Sequence, residues 1–294
     1  MRRLPYTEAR GPISVAAVRD ELLKGLAATA ARLAEGRAMS PADVHDARRR
    51  LKRARALLAL LRPALHERDF AACDGAFRAA ARSLAASRDA TVLARTHARI
   101  RKSQRLSVAT SSLRAPRRIV GHRTPTADAT TAYRLLRPGL ERLADARLIR
   151  RGWTALGPGL RGVYRRGRRR MTAAAESDPS GARLHAWRRQ AKRHWYVLEL
   201  FEVVDPDRLH PVVADLRRLS EVLGQEHDLA LLAAHLNSRP GRHAAADDEV
   251  LRVVAGRRRK LARRAFKLGA RIYEARPRDV EETMHRDWRR WRRR

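Results

Sequence analysis

The chain has 294 residues, 44% of them hydrophobic, so it is long enough and apolar enough to bury a sizeable core. It carries 66 Lys and Arg against 31 Asp and Glu, a formal net charge of +35, and arginine far outnumbers lysine. This balance excludes an acidic or near-neutral surface. It predicts a polyanionic partner, because bound anions relieve self-repulsion and guanidinium groups suit phosphate oxygens.

The long Ala/Leu/Arg segments have apolar residues at spacings of three and four, which predicts a chain that is nearly all helix and contains no strands. The sequence Ser40-Pro41 supplies an N-cap followed by proline at the first helical position, and Asp205-Pro206-Asp207 predicts a turn between two helices. The predicted helices, in chain order, are 13–35, 42–62, 67–86, 89–102, 131–150, 158–176, 182–204, 208–223, 226–237 and 247–274.

Two segments lie outside this helical pattern. Residues 103–130 are predicted to form a basic loop, and residues 276–294 a basic tail that is mobile over 285–294. The single cysteine, Cys73, excludes an internal disulfide and favours a reducing cytoplasm. The chain starts with basic residues but has no apolar signal-peptide core, and no apolar run reaches about 18 residues. We therefore expect neither secretion by that route nor a membrane span.

Two motifs recur along the chain at nearly the same spacing. Residues 44–55 align with 184–195 at an offset of 140, and residues 87–93 align with 226–232 at an offset of 139. Two motifs that keep their spacing indicate a duplicated unit. We expect one domain over 11–275, built from repeats of about 11–150 and 151–275. In this architecture two similar helical bundles face one another through a pseudo-two-fold relation.

The first motif places cations on one helix face and apolar residues on the opposite face. In the first copy the cations and histidine of this face are His45, Arg48, Arg49, Lys52, Arg53 and Arg55. In the second copy they are His185, Arg188, Arg189, Lys192 and Arg193, while Trp195 stands at the place of the fourth stripe cation, Arg55. Arg161, Arg165 and Arg168 share a face of the preceding helix and are expected to extend the same surface.

A charged helix face often only meets water, and for one such helix that interpretation would be preferred. This face, however, carries a single acid near its start, Asp46, and it recurs at the equivalent place of the second copy. Like charges one helical turn apart repel, so the repetition favours an anion site. Two such faces opposed across a pseudo-two-fold axis would form a basic central groove or pore for a linear polyanion.

The histidines and nearby acids have both structural and functional interpretations. A lone His in a first helical turn usually makes local hydrogen bonds, but in register with the cations His45 and His185 are expected to contact phosphate, more strongly when protonated. Asp89 and Asp228 are expected to hold arginines of the stripe in position through charge-assisted hydrogen bonds.

The repeated His-x-x-Arg-x-x-x-Lys-Arg helix, followed in the second copy by Tyr196-Val197-Leu198-Glu199-Leu200-Phe201 and later by Leu-Gly-Gln-Glu-His-Asp-Leu, resembles the CHAD family of histidine-containing α-helical domains. This resemblance covers roughly residues 11–275. It implies two antiparallel four-helix-type bundles related by pseudo-two-fold symmetry around a basic central pore. It also implies inorganic polyphosphate as ligand and association with polyphosphate granules. The implied ligand residues are His45, Arg48, Lys52, Arg53 and Arg55 with His185, Arg188, Lys192 and Arg193. At the positions of Trp195 and His227, members of the family usually have arginine and asparagine, respectively.

Two other function classes were weighed against polyphosphate binding. Phosphoryl chemistry needs metal-binding carboxylates near the phosphate, and the acids of this chain are scattered, with no Walker-type loop and no zinc spacing. We therefore expect no enzyme activity, no metal and no cofactor. Nucleic-acid binding is the stronger alternative because phosphate attraction is largely blind to sequence. With aromatic residues at only 5% and no recognisable reading motif, we expect at most weak, non-specific binding to nucleic acids.

Overall fold

The computed structural model describes residues 13–35, 38–84, 96, 98, 100, 126–176, 181–238 and 245–293. These residues form nine α-helices and no strand, so the predicted all-α fold is confirmed. The helices are α1 Val15–Ala34, α2 Pro41–Leu61, α3 Glu67–Ser83, α4 Thr126–Asp145, α5 Trp153–Ala175, α6 Gly181–Phe201, α7 Pro206–Asn237, α8 Ala245–Ile272 and α9 Pro277–Arg292. None of the described helices is long and apolar enough to cross a membrane.

The first turn of helix α2 is closed by a capping box that its sequence supplies. The Ser40 hydroxyl accepts a hydrogen bond from the Asp43 amide at 3.1 Å, and the Asp43 carboxylate accepts from the Ser40 amide at 3.2 Å, which forms a capping box. Pro41 occupies the first helical position, where no backbone donor is needed. The Ser40 hydroxyl also donates to the Asp43 carboxylate at 2.8 Å, and the hydrogen bonds from the Ser40 hydroxyl and amide hold the pKa of Asp43 below its usual value.

The helices contact one another in two groups. Helix α1 contacts α2 and α4, and α3 contacts α2 and α4. In the second half of the chain α5 contacts α6 and α8, and α7 contacts α6 and α8. The two groups meet where α2 contacts both α5 and α6. This placement brings the first cationic helix of the chain against the second.

The contact between α2 and α5 depends on a glycine. A Cβ at Gly159 would lie 2.0 Å from the carbonyl oxygen of Leu60, so only glycine allows the two backbones to come this close. The core on either side is continuous and includes the predicted apolar faces of α2 and α6. Those buried side chains are Ala47, Leu51, Ala54, Leu58 and Leu61 on α2, and Trp187, Ala191, Leu198 and Phe201 on α6.

Several predicted boundaries are wrong; the helix predicted at 131–150 is Thr126–Asp145, and the one predicted at 158–176 begins at Trp153. The separate helices predicted at 208–223 and 226–237 form one helix, α7, which runs without interruption through Gly224. The predicted loop 103–130 ends earlier than expected, because α4 begins at Thr126; residues 103–125 lie outside the described part of the chain. Tertiary packing explains why the two predicted helices form the single helix α7, since Gly224 is buried against α6 and is not a helix stop.

The predicted mobile basic tail is also wrong, because residues 277–292 form helix α9, which docks on α5. Its Met284 and Trp288 side chains are buried, and the Trp288 indole donates a hydrogen bond to the carbonyl oxygen of Ile13 at 3.2 Å. His285 stacks on Trp153 with ring centroids 5.0 Å apart. Apolar contacts therefore hold this arginine-rich segment against the core.

Candidate anion-binding site

The contact between α2 and α6 brings cations of the two repeats together around His185. Burial, the largest cause, and the charges of Arg189, Arg188 and Lys52 together lower the pKa of His185 to about 4. Lys52 belongs to α2 and the two arginines to α6. Three cations from both copies of the motif therefore act on one partly buried imidazole, which is neutral at pH 6 in the unliganded protein.

A second group of cations surrounds Arg193 on α6. Burial lowers the pKa of Arg193 to about 10, and the charges of Arg55, Arg166 and Arg189 act in the same direction, while Asp74 opposes them. A shifted guanidinium marks a place where positive charge is concentrated and poorly hydrated. We use the name α2–α6 seam for this surface, which comprises the α2 residues Arg48, Lys52, Arg53 and Arg55 and the α6 residues His185, Arg188, Arg189, Lys192 and Arg193.

Two acids hold arginines of the α2–α6 seam in place. Arg53 on α2 donates to the carboxylate of Glu199 on α6 at 2.6 Å, which ties the two helices together. Arg55 donates two hydrogen bonds, of 2.8 and 3.1 Å, to Asp74 on α3. Burial alone would raise the pKa of Asp74, but hydrogen bonds from Arg55 and Arg78 outweigh it and the pKa is lowered.

These two acids were missed by the sequence analysis, which assigned the positioning role to Asp89 and Asp228. Asp89 lies outside the described residues, and Asp228 is a partly buried residue of α7. Glu199 had one recognisable signal, since it is a lone acid on the helix that carries the second stripe. Asp74 had none, because its pairing with Arg55 depends on how α3 packs on α2.

The arginine that lies three residues after the histidine of each motif packs closely against a neighbouring helix. Arg48 donates to the carbonyl oxygen of Ala81 on α3 at 2.9 Å. Arg188 lies against α7, where a Cβ at Gly224 would be 3.2 Å from one of its terminal nitrogens. A side chain at Gly224 would press on this guanidinium, which gives a physical reason for glycine inside α7. The two arginines are thus both partly enclosed between helices.

The three arginines of α5 that were predicted to bind the ligand have different surroundings in the structure. Arg161 forms an ion pair with Glu281 of α9 at 2.9 Å, Arg168 donates to the carbonyl oxygen of Ala275 at 3.3 Å, and Arg165 is exposed. The α5 arginine whose charge acts on the seam is Arg166, which the sequence analysis did not select. Burial lowers the pKa of Arg166, as do Arg62 and Arg165. The ligand role of Arg161, Arg165 and Arg168 stays a prediction.

The remaining predicted residues lie at the start of the two stripes. His45 is exposed in the first turn of α2, and Arg49 pairs with Asp46 one turn earlier. His185 packs on His227 of α7 with ring centroids 4.0 Å apart and an angle of 31°. His194, also on α6, is buried and takes no part in the seam. Among the described residues, no group of three or more His, Cys, Asp or Glu side chains could hold a metal ion.

The comparison with known proteins gives one match. A protein-family model described as the CHAD domain matches residues 17–237, about three quarters of the chain, and includes α1 to α7. No curated protein and no solved structure matches the chain. The match covers both helices of the α2–α6 seam.

Proposed function

The chain belongs to the CHAD domain family, and on that premise we propose that it binds inorganic polyphosphate through the cations of the α2–α6 seam, without chemical turnover. The observation that carries this proposal is the charge around His185 and Arg193, to which both copies of the motif contribute. Arginine donors in a partly dehydrated site suit the closely spaced, base-free charges of a phosphate chain.

The proposal includes a shape for the site. Equivalent helices of the two repeats, α2 and α6, contact each other, and each also packs in its own group of four helices. This supports two bundles related by a pseudo-two-fold axis that passes near the seam, with a basic groove between them. A groove between low-dielectric walls focuses the field of its cations on a linear ligand.

Binding without turnover fits the chemistry of the seam. Its two acids, Asp74 and Glu199, are engaged by arginines, an arrangement that positions cations. A protein that binds polyphosphate in this manner would work where the polymer accumulates, so we place it in the cytoplasm on polyphosphate granules.

A variant that lacks four cations of the seam tests the proposal. Replacing Arg48, Lys52, Arg188 and Lys192 together with Gln removes four cations and is expected to weaken binding of labelled polyphosphate at least a hundredfold at near-physiological salt. Phosphate contacts account for most of such an affinity, and each lost contact also lowers the salt dependence. The measurement is a competition titration against single-stranded DNA, RNA and heparin, matched by total anionic charge, with circular dichroism as the check on helix content.

The matched control removes the same charge from a different surface. Arg259, Lys260, Arg263 and Lys267 are exposed on α8, which packs on α7 and α5. Their replacement with Gln is expected to leave the preference for polyphosphate over nucleic acids intact. Equal losses in both variants would contradict the proposed site and would identify a general polyanion binder. Undiminished binding in the folded seam variant would do the same for the placement of the site.

A further inference from the structure

The two halves of the α2–α6 seam differ at one aligned position, where the first copy has Arg55 and the second has Trp195. Arg55 is held by Asp74. Trp195 instead stacks on Tyr196, with ring centroids 5.0 Å apart and an angle of 20° between the planes. Tyr196 is buried and Trp195 remains partly exposed. One half of the seam therefore presents an aromatic surface where the other presents a guanidinium.

Cations surround this aromatic pair. The ammonium of Lys192 lies 5.7 Å from the centre of the Trp195 ring and 5.6 Å from that of Tyr196. Burial, and after it the charge of Glu199, raise the pKa of Tyr196 to about 12 against the opposing charges of Arg49 and Arg53 on α2. Both α2 arginines are therefore close enough to influence Tyr196.

An indole beside phosphate-binding cations matches a ligand that has both a flat ring and a phosphate chain. Every nucleobase has a face that stacks on an aromatic side chain, and such stacking accounts for a substantial part of affinity where it occurs. Inorganic polyphosphate has no such face and would gain nothing from Trp195. Trp195 would therefore offer a base contact at the position where an arginine would offer a phosphate contact.

We propose that the second half of the seam binds a nucleoside polyphosphate, with its phosphates on Lys192 and the neighbouring arginines and its base on Trp195. This inference rests on the proposed function, because the same cations hold the phosphates in both cases. It adds a ligand class that the cations alone do not select.

Adenosine triphosphate and inorganic tripolyphosphate are the matched probes, titrated without divalent metal at the same ionic strength by isothermal calorimetry. Adenosine triphosphate is expected to bind about tenfold more tightly or better than tripolyphosphate. Trp195→Leu should abolish that preference, and Trp195→Phe should retain part of it, because a ring that can stack is still present. Trp195→Arg should have opposite effects on the two ligands, strengthening tripolyphosphate and weakening adenosine triphosphate.

The control variant is Trp291→Leu, which alters a partly buried tryptophan of α9 outside the seam and should keep the wild-type preference. A preference that is absent in the wild type, or that survives Trp195→Leu, overturns the inference. A single-stranded RNA that binds far more tightly than adenosine triphosphate, in a manner that depends on Trp195, also overturns it in favour of nucleic acid. Failure of the proposed function has a different signature, namely tripolyphosphate binding that the quadruple seam variant leaves unchanged.

Discussion

His194 lies on α6 with its ring enclosed by Tyr164 and Tyr273, at centroid distances of 5.4 and 5.5 Å. Only 2% of the residue is exposed, and its Nδ1 is buried without a hydrogen-bond partner. Burial lowers its pKa from 6.5 to about 3, so the imidazole is neutral at every pH at which the protein is expected to work. His194 therefore contributes packing at neutral pH and lowers the stability of the folded protein in acid.

The sign of this effect of pH on stability follows from proton linkage. Between about pH 6.5 and pH 3 the unfolded chain binds a proton at His194 that the folded protein does not, so the free energy of unfolding falls as the pH falls through this window. His194→Phe is expected to keep the stability at pH 7 and to reduce the loss between pH 7 and 5 by on the order of 1–2 kcal/mol. Denaturant unfolding at several pH values measures this.

His185 contributes in the same direction, since burial and cationic neighbours also lower its pKa. The His194→Phe variant should therefore keep a smaller dependence on pH and not lose it altogether. A wild-type slope in the His194→Phe protein would show that the enclosed imidazole does not govern acid stability.

At the scale of elements, α9 shows how a few apolar residues determine the position of a highly charged helix. Val280, Met284 and Trp288 follow one another at intervals of four and face α5 and the core, while arginines occupy the other side. Trp288→Ala is expected to lower the free energy of unfolding by about 3–5 kcal/mol through lost burial and an unfilled cavity. Thermal unfolding measures the loss, and faster proteolysis within residues 277–292 would locate it.

Arg289 is exposed on the same helix, and Arg289→Ala provides the control, with an expected change within about 0.5 kcal/mol. Polyphosphate binding by the Trp288→Ala protein should stay near wild type, because the main helix contact of α9 in the described packing is with α5, which is not one of the two seam helices. A Trp288→Ala protein as stable as wild type would mean that α9 is only loosely held.

Sequence reasoning succeeded where periodicity and local chemistry determine the element. The apolar sides of α2 and α6 were predicted and are buried, and Ser40 and Asp205 cap their helices through side-chain hydrogen bonds. It failed where distant contacts overrule a local rule. Glycine is common at helix ends, yet α7 continues through Gly224, which is buried beside Arg188 of α6.

The candidate site shows the same division. The cations that share a helix face were recognisable from spacing alone, since residues three, four and seven apart lie on one side of a helix. The partners that orient them were not, because Asp74 and Glu199 meet their arginines across 19 and 146 positions of the chain. Arg166 was passed over because within the run of arginines on α5 only the three-dimensional packing distinguishes it from its neighbours.

At the scale of the whole molecule, salt should affect the free and bound protein in opposite directions. A net charge of +35 repels itself at low ionic strength, so sodium chloride between about 20 and 300 mM is expected to raise the Tm of the free protein by screening. Bound polyphosphate raises the Tm by linkage, and this increment should shrink over the same range, because salt weakens phosphate binding. Differential scanning fluorimetry with and without polyphosphate measures both.

The α8 variant described above tests which part of the charge matters. Removing four exposed cations there should raise the Tm of the free protein at low salt and leave most of the increment caused by polyphosphate. The seam variant should also raise the low-salt Tm but lose the increment. Tm values of the free protein that fall as salt rises would contradict the view that self-repulsion limits its stability.

The hydrogen bond from the Trp288 indole to the carbonyl oxygen of Ile13 has a mechanical consequence. Because these two residues touch, Ile13 and the last turns of α9 lie close together. A force applied through both would load the contact between α9 and the start of the chain before any other part of the molecule. The first yielding event in an optical-tweezers experiment should therefore be the release of α9, while the helices of the seam are still folded and carry no load.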